Sequence, residues 1–341
     1  MAPKVSVIIP AYNRAHLIGA TLRSVLRQTY GDYEIVVIDD GSTDDTESVV
    51  RAIAPEARYA KQANVGIPEV LNVCVRAAAG EYIAFLGSDD ALAPRALEKQ
   101  AAVLDDHPNV GLVHGQAWLM DELGRLTHLQ TPPFATESYT RSGHEEIADL
   151  VMSNHIVATT VMVRKRCFED VGYFDGRFGL YEDWNMWTRI FKHWDVGYVH
   201  EPLAFYRVHH GESGSIFKTA APRTLERYRR IQVDDILRDP EVGPQLKHLK
   251  RAAYARHHYT VAMHSLDVGA RWYGRSQALQ AVAWGLPAGG TAASALRLLL
   301  RSFVPAAAIA AVHRRNRNDE TIPVSETTLE AVLGGAAVPE A

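Results

Sequence analysis

The 341-residue chain contains only two cysteines, Cys74 and Cys167, which stand far apart in the sequence. A disulfide framework or a zinc knuckle needs several cysteines at short spacing, so this pattern predicts neither. Isolated thiols are typical of proteins that work in a reducing compartment. We therefore expect a cytoplasmic location for the chain.

Long apolar runs are also absent. The longest late run, residues 303–312, is interrupted by Pro305 and falls short of the roughly 20 residues that a membrane-spanning helix needs. The apolar residues 5–9 are followed at once by Pro10 and Asn13, as expected for a buried strand rather than a signal peptide. The sequence therefore predicts no spanning helix and no leader.

An excess of basic charge is missing as well, since the formal net charge is −4. General nucleic-acid binding needs a broad basic face, so we expect no nucleic-acid partner. The charge is unevenly spread, and arginines gather in the last predicted helical stretch, at Arg297, Arg301, Arg314, Arg315 and Arg317.

Short β-branched runs alternate with helical patterns in the first third of the chain. The strand patterns lie at residues 5–9, 34–38, 82–86 and 111–118. The helical patterns lie at residues 16–28, 42–53, 67–79 and 94–107. This alternation predicts a largely parallel, doubly wound α/β sheet. Ligands bind such sheets beyond the carboxyl ends of the strands.

The pattern is less regular after residue 130. Residues 131–214 mix strand patterns with one helical pattern, at 159–163, 196–199, 203–207 and about 182–193. Residues 220–317 are helical almost throughout, and the pair His257–His258 within them is expected at the surface or at the edge of the core. The small, polar tail 318–341 is expected to be loosely ordered.

Three polar clusters directly follow predicted strands, at residues 10–14, 39–42 and 87–90. The third contains the adjacent carboxylates Asp89 and Asp90, and each raises the pKa of the other unless a cation lies between them. Oxygen ligands suit magnesium or manganese, and such an ion would join the carboxylates to a diphosphate. The alternative is that one carboxylate simply caps the helix that is entered at Pro94.

Asp39 ends a buried strand, and its carboxylate can accept a hydrogen bond from the imino N–H of a pyrimidine base. The alternative is turn chemistry, because Asp-Gly-Ser is common in turns and helix caps. Arg14 and Pro10 lie on the same predicted edge, and this favours a nucleotide over a bare turn.

Glu182 and Asp183 precede an aromatic helix, where a carboxylate is either a helix cap or a general base for a hydroxyl nucleophile. His209 and His210 follow the strand pattern 203–207, and a histidine there would complete a metal site or contact phosphate. Loop histidines commonly have no such role, so that alternative stays open.

Several motifs together resemble the family 2 glycosyltransferases of the GT-A fold over residues 4–215. They follow the family's order at residues 5–14, 35–44, 64–66, 72, 80–86, 88–90, 182–184 and 206–209. Each motif is weak alone, but the order and the spacing make the combination specific.

The resemblance implies an inverting transferase that moves a sugar from a nucleotide-diphosphate donor, with a UDP- or dTDP-sugar favoured. The acceptor would be a glycan or a lipid-linked molecule. The reaction would be a direct displacement that requires Mn²⁺ or Mg²⁺, and it would serve the synthesis of cell-envelope polysaccharide. The implied fold is the GT-A doubly wound, Rossmann-like mixed sheet flanked by helices. The catalytic domain, residues 1–215, would divide into a nucleotide-sugar half, 1–120, and an acceptor half, 121–215. A helical region, 216–317, and a flexible tail, 318–341, would follow.

The resemblance also implies roles for individual residues. Asp39 would contact the base, and further donor-binding residues would be Pro10, Ala11, Tyr12, Arg14, Asn64, Gly66, Ser88 and Asp89. Asp90 would hold the metal, with Asp89 sharing it or binding the ribose, and His209 would lie near the ion and the diphosphate. Asp183 would be the catalytic base, and Glu182 would orient the acceptor or the loop.

Two positions depart from the family pattern. Many members carry Asp where this chain has Gly87, so the choice of carboxylates that bind the ion stays open. Many carry Arg where this chain has Leu71, which removes one expected diphosphate contact. Arg14 or the metal must then do more.

The C-terminal helices resemble those of members that act on lipid-linked or cell-surface glycans. Apolar residues interspersed with arginines could lie in a membrane interface, at Leu296, Leu299, Leu300, Phe303 and Val304 with Arg297 and Arg301. The last three arginines, Arg314, Arg315 and Arg317, could meet anionic lipid at the cytoplasmic face of the cell membrane. The alternative is a helix packed on the catalytic domain or on the second subunit of a homodimer.

The sequence also bears on three other functions. A nucleotidyltransferase that makes the donor would carry a basic, Gly-rich loop after the first strand, where this chain has Tyr12, Asn13 and Arg14. A dehydrogenase would carry Gly-x-Gly-x-x-Gly after a strand, which is absent. A catalytically silent relative, which binds nucleotide sugar or scaffolds a polysaccharide assembly complex, is disfavoured by Asp90 and Asp183.

Overall fold

The computed structural model of the protein describes residues 2–209, 220–286, 290–303 and 328–335. The chain divides into two compact units. The first contains Met1–Glu146, His155–His209 and Ser325–Ala341, and the second contains Ile147–Asn154 and His210–Val324. Several residues named from the sequence lie outside the described ones, namely His210, Val304, Arg314, Arg315, Arg317, 318–327 and 336–341.

The strands all belong to the first unit. In chain order they are β1 (Val5–Ala11), β2 (Tyr33–Asp39), β3 (Arg58–Lys61), β4 (Tyr82–Phe85), β5 (Ala91–Leu92), β6 (Val110–Met120), β7 (Leu126–Gln130), β8 (Tyr139–Arg141), β9 (Met162–Arg164) and β10 (Asp195–Arg207).

The helices lie in both units. In chain order they are α1 (Ile18–Leu26), α2 (Thr46–Ile53), α3 (Ile67–Ala77), α4 (Ala96–Asp106), α5 (Gly143–Leu150), α6 (Arg166–Val171), α7 (Glu182–Phe191), α8 (Pro222–Arg238), α9 (Lys250–Asp267), α10 (Arg271–Gly285), α11 (Gly290–Arg301) and α12 (Leu329–Leu333). Short 3-10 segments occupy Ala158–Thr160, Gly176–Tyr181 and Lys247–Leu249.

The described strands form one ten-stranded mixed sheet in the order β3-β2-β1-β4-β9-β6-β10-β5, with β7 beside β6 and β8 beside β10. β1 is parallel to β2 and β4, β2 is parallel to β3, and β6 is parallel to β10. β9 is antiparallel to β4 and β6, and β5 is antiparallel to β10. The predicted doubly wound α/β class with a mixed sheet is confirmed.

The core of the first unit follows directly from the sequence pattern. Residues 5–9 of β1 are all buried, as expected for a strand covered on both faces. In α1, Ile18, Leu22 and Val25 recur at helical spacing and pack into the same core. Each such side chain contributes about 1.5–3 kcal/mol when fully buried.

Two strand predictions need correction. The patterns 196–199 and 203–207 belong to one strand, β10, whose pairing with β6 shifts register on both sides of Pro202. A bulge accommodates proline within a strand because proline has no backbone N–H for the ladder. The pattern 159–163 begins too early, since Ala158–Thr160 is a 3-10 segment and β9 starts at Met162.

The predicted start of the second helix is also wrong. α2 begins at Thr46 rather than near Ser42, and its N-cap residue Asp45 makes no side-chain cap. The Ser42 hydroxyl instead accepts a hydrogen bond from the backbone N–H of Asn13 at 2.8 Å. Ser42 therefore holds the loop after β1 in place.

Part of the predicted loosely ordered tail is folded. Thr328 caps α12 by accepting a hydrogen bond from the backbone N–H of Ala331. Leu329, Val332 and Leu333 are buried in a cluster of the first unit that includes Leu126 of β7. The apolar spacing within 329–333 is too short to indicate this helix from the sequence alone.

The second unit is built from helices, with α8–α11 packed together. Buried alanines at Ala253, Ala262, Ala278 and Ala281 let the helices approach closely. The expectation for His257 is wrong, because its side chain is wholly buried. None of the helices in the described part of the chain is long and apolar enough to cross a bilayer.

Candidate functional site

The carboxyl ends of three neighbouring strands meet at one edge of the sheet. In the parallel pairing of β1 with β2, Ala11 lies beside Asp39. On the other side of β1, Ile8 lies beside Phe85, the last residue of β4. The loops that follow these strands carry the three polar clusters, so the clusters leave the sheet side by side.

Asp39 is fully buried at the end of β2, and both oxygens of its carboxylate accept hydrogen bonds within the protein. Oδ1 accepts from the backbone N–H of Ser42 at 2.7 Å, which is the turn chemistry considered from the sequence. Oδ2 accepts from the hydroxyl of Tyr59 at 2.5 Å. Tyr59, on β3, was not predicted, and its hydroxyl fixes the orientation of Asp39.

Asn13 joins the loops after β1 and β2. Its backbone N–H donates to Ser42 Oγ, and its side-chain oxygen accepts from the backbone N–H of Thr43, each at 2.8 Å. Asn13 has φ 53°, in the left-handed region that asparagine tolerates better than most residues. The backbone N–H of Arg14 donates to Thr46 Oγ1 at 2.9 Å. The loop that carries Arg14 is therefore held at both residues.

Asp40 holds the segment that contains Asn64 and Gly66 at the same edge. Its carboxylate accepts hydrogen bonds from the backbone N–H groups of Val65 and Gly66, each at 3.0 Å. Gly41 has φ 90°, and a Cβ there would lie 3.0 Å from the backbone nitrogen of Asn64. Only glycine fits this close approach without strain.

The other predicted donor-binding residues also lie along this edge. Pro10 and Ala11 are the last two residues of β1. Ser88 is buried in the loop after β4, whereas the Tyr12 side chain is 48% exposed. An exposed aromatic ring beside a polar cleft is suited to stacking on a flat ligand group.

Asp89 lies close to two side chains that can carry positive charge. His209 Nε2 lies 2.7 Å from Asp89 Oδ2, and Arg14 Nε lies 3.9 Å from the same oxygen. These three residues come from the loops after β4, β10 and β1. Residues 14, 89 and 209, distant in sequence, thus meet at one place.

Asp90 is buried behind Asp89. Its Oδ1 accepts from the backbone N–H of Arg207 at 2.8 Å, and its Oδ2 accepts from the hydroxyl of Thr159. The N-cap residue of α4 is Arg95, with no side-chain cap. The alternative in which Asp89 or Asp90 caps this helix is therefore excluded.

The two carboxylates differ in their acid–base behaviour. Burial, together with the charge of Asp89, raises the pKa of Asp90 to about 8. Burial acts in the same direction on Asp89, but the hydrogen bond from His209 and the charge of Arg14 outweigh it and hold the pKa of Asp89 below its usual value. At neutral pH Asp89 is the ionised member of the pair.

Arg207 and Thr159 contact the carboxylate pair of the candidate site and were not predicted from the sequence. The Arg207 side chain is almost buried; it donates from Nε to the backbone oxygen of Asp89 at 2.9 Å and from Nη1 to the backbone oxygen of Glu122 at 2.9 Å. Arg207 lies within residues 206–209, one of the motifs that resemble the family, but the resemblance implied a role only for His209. Nothing in the sequence near Thr159 indicates that its hydroxyl reaches Asp90.

Gly87 explains one departure from the family pattern. A Cβ at this position would lie 2.6 Å from Asp90 Oδ2 and 3.1 Å from Asp89 Oδ1. Any side chain at residue 87 would therefore displace both carboxylates from their present positions. The arrangement of the pair depends on glycine here.

Glu182 and Asp183 form the first turn of α7 and are half-buried. Burial and the neighbouring charge of Asp183 raise the pKa of Glu182 to about 8. The pKa of the Tyr206 phenol is raised by burial and by the charges of Asp90, Asp89 and Asp183, in that order. Tyr206 therefore lies within electrostatic reach of both carboxylate pairs.

The side chains at Asp89 could supply some, but not all, of the ligands of a divalent ion. Asp89 Oδ2 and His209 Nε2 offer one carboxylate and one imidazole ligand, and such an ion would take further oxygen ligands from a diphosphate. Asp90 faces Thr159 and Arg207 instead, so Asp89 is better placed than Asp90 to bind an ion directly. Sets of three ligand atoms within 4.8 Å of one another occur elsewhere in the described residues, at His114, Glu146 and His155 and at Glu226, His257 and His258.

Comparison with protein families matches residues 6–172 to the model described as Glycosyl transferase family 2. An uncharacterised glycosyltransferase of Rickettsia prowazekii is 27% identical over 232 residues, which are 67% of this chain and 70% of that protein. A PGL/p-HBAD biosynthesis glycosyltransferase of Mycobacterium bovis is 29% identical over 222 residues, which are 63% of this chain and 81% of that protein.

Two solved structures share the fold at low sequence identity. Residues 1–349 of TarS from Staphylococcus aureus, in complex with UDP, match with a TM-score of 0.61 and 17% identity over 92% of both chains. The mannosyltransferase PcManGT from Pyrobaculum calidifontis, in complex with GDP-Man and Mn²⁺, matches with a TM-score of 0.54 and 21% identity. That match covers 98% of this chain and 85% of PcManGT.

The raised pKa of Asp90 predicts a pH-dependent stability. A carboxyl group whose folded-state pKa exceeds its unfolded value stabilises the fold below the unfolded value, and the contribution is lost as pH rises through the folded value. For Asp90 this window runs from about 4 to about 8. We expect the melting temperature in a chelating buffer to fall across this window, and Asp90→Asn to reduce the fall by about 3 °C or more, the shift that about 1 kcal/mol produces.

The control is Asp106→Asn, because Asp106 is an exposed carboxylate at the end of α4. It should follow the wild-type curve at every pH. Parallel melting curves for wild type and Asp90→Asn would show that Asp90 is ionised in the folded protein throughout this range.

Proposed function

The chain belongs to family 2 of the glycosyltransferases and has the GT-A fold, and on this basis we propose that it is an inverting enzyme with a UDP- or dTDP-sugar as donor. It is a nucleotide-sugar-dependent glycosyltransferase. The finer proposal is direct displacement on the donor, with Asp183 as base and a divalent ion at Asp89. The observation that carries it is the meeting of Arg14, Asp89 and His209 beside Asp90.

The donor's base and ribose are assigned to the edge formed by the loops after β1 and β2. Asp39 is oriented by Ser42 and Tyr59, and it retains lone pairs that can accept the imino N–H of a uracil or thymine. The exposed ring of Tyr12 stands at the same edge. TarS residues 1–349 bind UDP and UDP-GlcNAc, which supports a pyrimidine donor. PcManGT binds GDP-Man, so a purine donor is the competing outcome.

The diphosphate is assigned to Arg14, Asp89 and His209. An ion held by Asp89 and His209 would neutralise the charge that develops on the leaving nucleoside diphosphate. Arg14 lies 3.9 Å from Asp89 Oδ2, so its guanidinium is placed to contact a phosphate bound at that carboxylate. The Mn²⁺ in the PcManGT complex supports an ion of this kind.

The acceptor hydroxyl is assigned to Asp183. Glu182 has its pKa raised to about 8 and is protonated at neutral pH, which leaves Asp183 as the ionised carboxylate of this pair. An ionised carboxylate at the helix start can take the proton from the attacking hydroxyl. Single displacement needs no covalent sugar–enzyme intermediate, so one base is sufficient.

The acceptor is proposed to be a glycan or lipid-linked, with the protein bound peripherally to the cytoplasmic face of the membrane. Leu296 and Leu300 lie one turn apart on α11 and are 48% and 62% exposed. Phe303, two residues after the end of this helix, is 62% exposed. The guanidinium of Arg275 lies 4.0 Å from the centre of the Phe303 ring. Apolar side chains with arginines between them suit the surface of an anionic bilayer.

Donor binding should require the ion. With UDP- or dTDP-sugar in large excess and Mn²⁺ present, we expect a rise in melting temperature, since ligand at 100 times its Kd contributes about 2.7 kcal/mol. Asp89→Asn should abolish the rise, whereas Asp106→Asn should leave it unchanged. An equal rise in the presence of a chelator, or a rise retained in Asp89→Asn, would contradict the ion site. A rise with GDP-sugars alone would refute the pyrimidine donor.

Asp183→Asn should retain the donor-induced rise and lose sugar transfer by about 10²–10⁴-fold, the usual contribution of a general base. The matched control is Glu182→Gln, because glutamine imitates the protonated form that Glu182 adopts at neutral pH. Its transfer rate should stay within about tenfold of wild type. Transfer retained by Asp183→Asn would show that the base is elsewhere, and a wild type that binds donor but neither transfers nor hydrolyses it would favour the silent alternative.

Membrane binding should depend on the exposed apolar residues of α11 and of the turn that follows it. We expect the protein to float with phosphatidylglycerol vesicles and not with phosphatidylcholine vesicles, and the double variant Leu300→Asp, Phe303→Asp to lose most of this binding. Leu123→Asp is the control, since Leu123 is 76% exposed in the first unit. Equal flotation of the double variant would reject the membrane surface, and a change of its oligomeric state would indicate a subunit interface instead.

A further inference from the structure

A second cluster of ligating side chains lies apart from the donor residues. His114 is on β6, Glu146 is on α5, and His155 precedes the 3-10 segment Ala158–Thr160. All three residues belong to the first unit. The assigned roles in sugar transfer use none of them.

The three side chains point at one another. His155 Nε2 lies 2.6 Å from Glu146 Oε1, and His114 Nε2 lies 3.9 Å from the same oxygen. Arg141 donates to the other oxygen of Glu146, Oε2, at 2.6 and 2.7 Å. One ligand atom from each of His114, Glu146 and His155 lies within 4.8 Å of the other two.

His114 is the unusual member of the cluster. Its side chain is fully buried, and neither ring nitrogen has a hydrogen-bond partner. Burial lowers the pKa of His114 to about 3, so the ring is neutral and one nitrogen carries a free lone pair. Buried polar atoms are satisfied in the great majority of cases, because leaving one unpaired costs about 1–3 kcal/mol.

Glu146 is ionised although it is buried. Burial opposes ionisation, but the hydrogen bond from His155 and the charges nearby hold the pKa of Glu146 at about 2. Arg141 donates to Oε2, whereas Oε1 faces the two imidazoles. A carboxylate ligand whose second oxygen is hydrogen-bonded is common around bound metals.

We propose that His114, Glu146 and His155 bind a divalent transition-metal ion of the zinc type. Two imidazole nitrogens and one carboxylate oxygen are a donor set that zinc takes in proteins. The ion would replace the hydrogen bond between His155 and Glu146 and occupy the unpaired nitrogen of His114.

The bound ion would have a structural role. It would join β6 and α5 to the chain that runs from His155 to Thr159. The hydroxyl of Thr159 donates to Asp90, so the ion would stabilise a segment that supports the carboxylate pair. This set, rich in nitrogen, differs from the oxygen ligands that Mg²⁺ or Mn²⁺ prefer beside a diphosphate.

The cluster of Glu226, His257 and His258 in the second unit is a weaker candidate. Glu226 accepts a hydrogen bond from Tyr273, and His258 Nδ1 lies 2.6 Å from Gln277 Oε1. The side chains of two of its three members therefore already have hydrogen-bond partners outside the cluster, whereas in the first cluster only that of Glu146 does among the described residues. It serves as the comparison in the experiment below.

Cobalt(II) titration of the full-length, metal-free protein without nucleotide tests the proposal. We expect one equivalent bound with visible d–d absorption typical of nitrogen and oxygen ligands, and a rise in melting temperature with Zn²⁺. His114→Gln and His155→Gln should each lose that equivalent and that rise. His128→Gln, an exposed histidine on β7, and His258→Gln should both retain them.

The cobalt spectrum of the wild-type protein tests the proposed site even where a variant folds poorly. Absence of a d–d band from wild-type protein would overturn the proposal. So would equal cobalt binding by wild type and a folded His155→Gln variant, with folding checked by circular dichroism. Loss of the equivalent only in His258→Gln would move the site to the second cluster. Because no nucleotide is present, these outcomes do not depend on the donor assignment.

Discussion

The close approach of two adjacent carboxylates, the buried Asp90 and the partly exposed Asp89, is the constraint on which the candidate site depends. Like charges at this spacing repel strongly where water is scarce. The protein treats the two groups differently: Asp90 is enclosed by Thr159 and Arg207, whereas Asp89 is paired with His209. Burial keeps Asp90 protonated up to about pH 8. The site therefore presents one ionised carboxylate, held in a fixed direction, before any ligand arrives.

The difference between the surroundings of Asp89 and Asp90 depends on the antiparallel part of the sheet. β5 directly follows Asp90 and pairs antiparallel with β10, where Phe205 lies beside Ala91. That pairing brings the backbone N–H of Arg207 to Asp90 and its guanidinium to the backbone of Asp89. At α7, burial and the charge of Asp183 likewise raise the pKa of Glu182 to about 8. The parallel strands β1, β2 and β4 position the loops of the site. The antiparallel pairing of β5 with β10 determines the surroundings of Asp90.

The parallel half of the fold and the three polar clusters could be predicted because their signals are local. A β-branched run followed by polar residues predicts a buried strand and the loop after it from about ten positions of sequence. Tyr59, Thr159 and Arg207 could not be predicted in this way, because each donates to its carboxylate through pairing or packing of segments 20–117 positions apart. The burial of His257 has the same origin, since helical periodicity does not reveal which helices surround a given face. Long-range contacts, rather than local propensity, determine the details of the site.

The two ion sites proposed for this chain would achieve selectivity in opposite ways. By the general order of stability, zinc binds almost any nitrogen and oxygen set more tightly than manganese, so ligand type alone cannot reserve the donor site for a hard ion. The cluster of His114, Glu146 and His155 would supply three ligands of its own from buried or nearly buried side chains. At the proposed donor site, Asp89 and His209 would supply only part of the ligand set, and the remaining ligands would come from the diphosphate. Ion and donor would then bind as a unit, and linkage would require each to raise the affinity for the other.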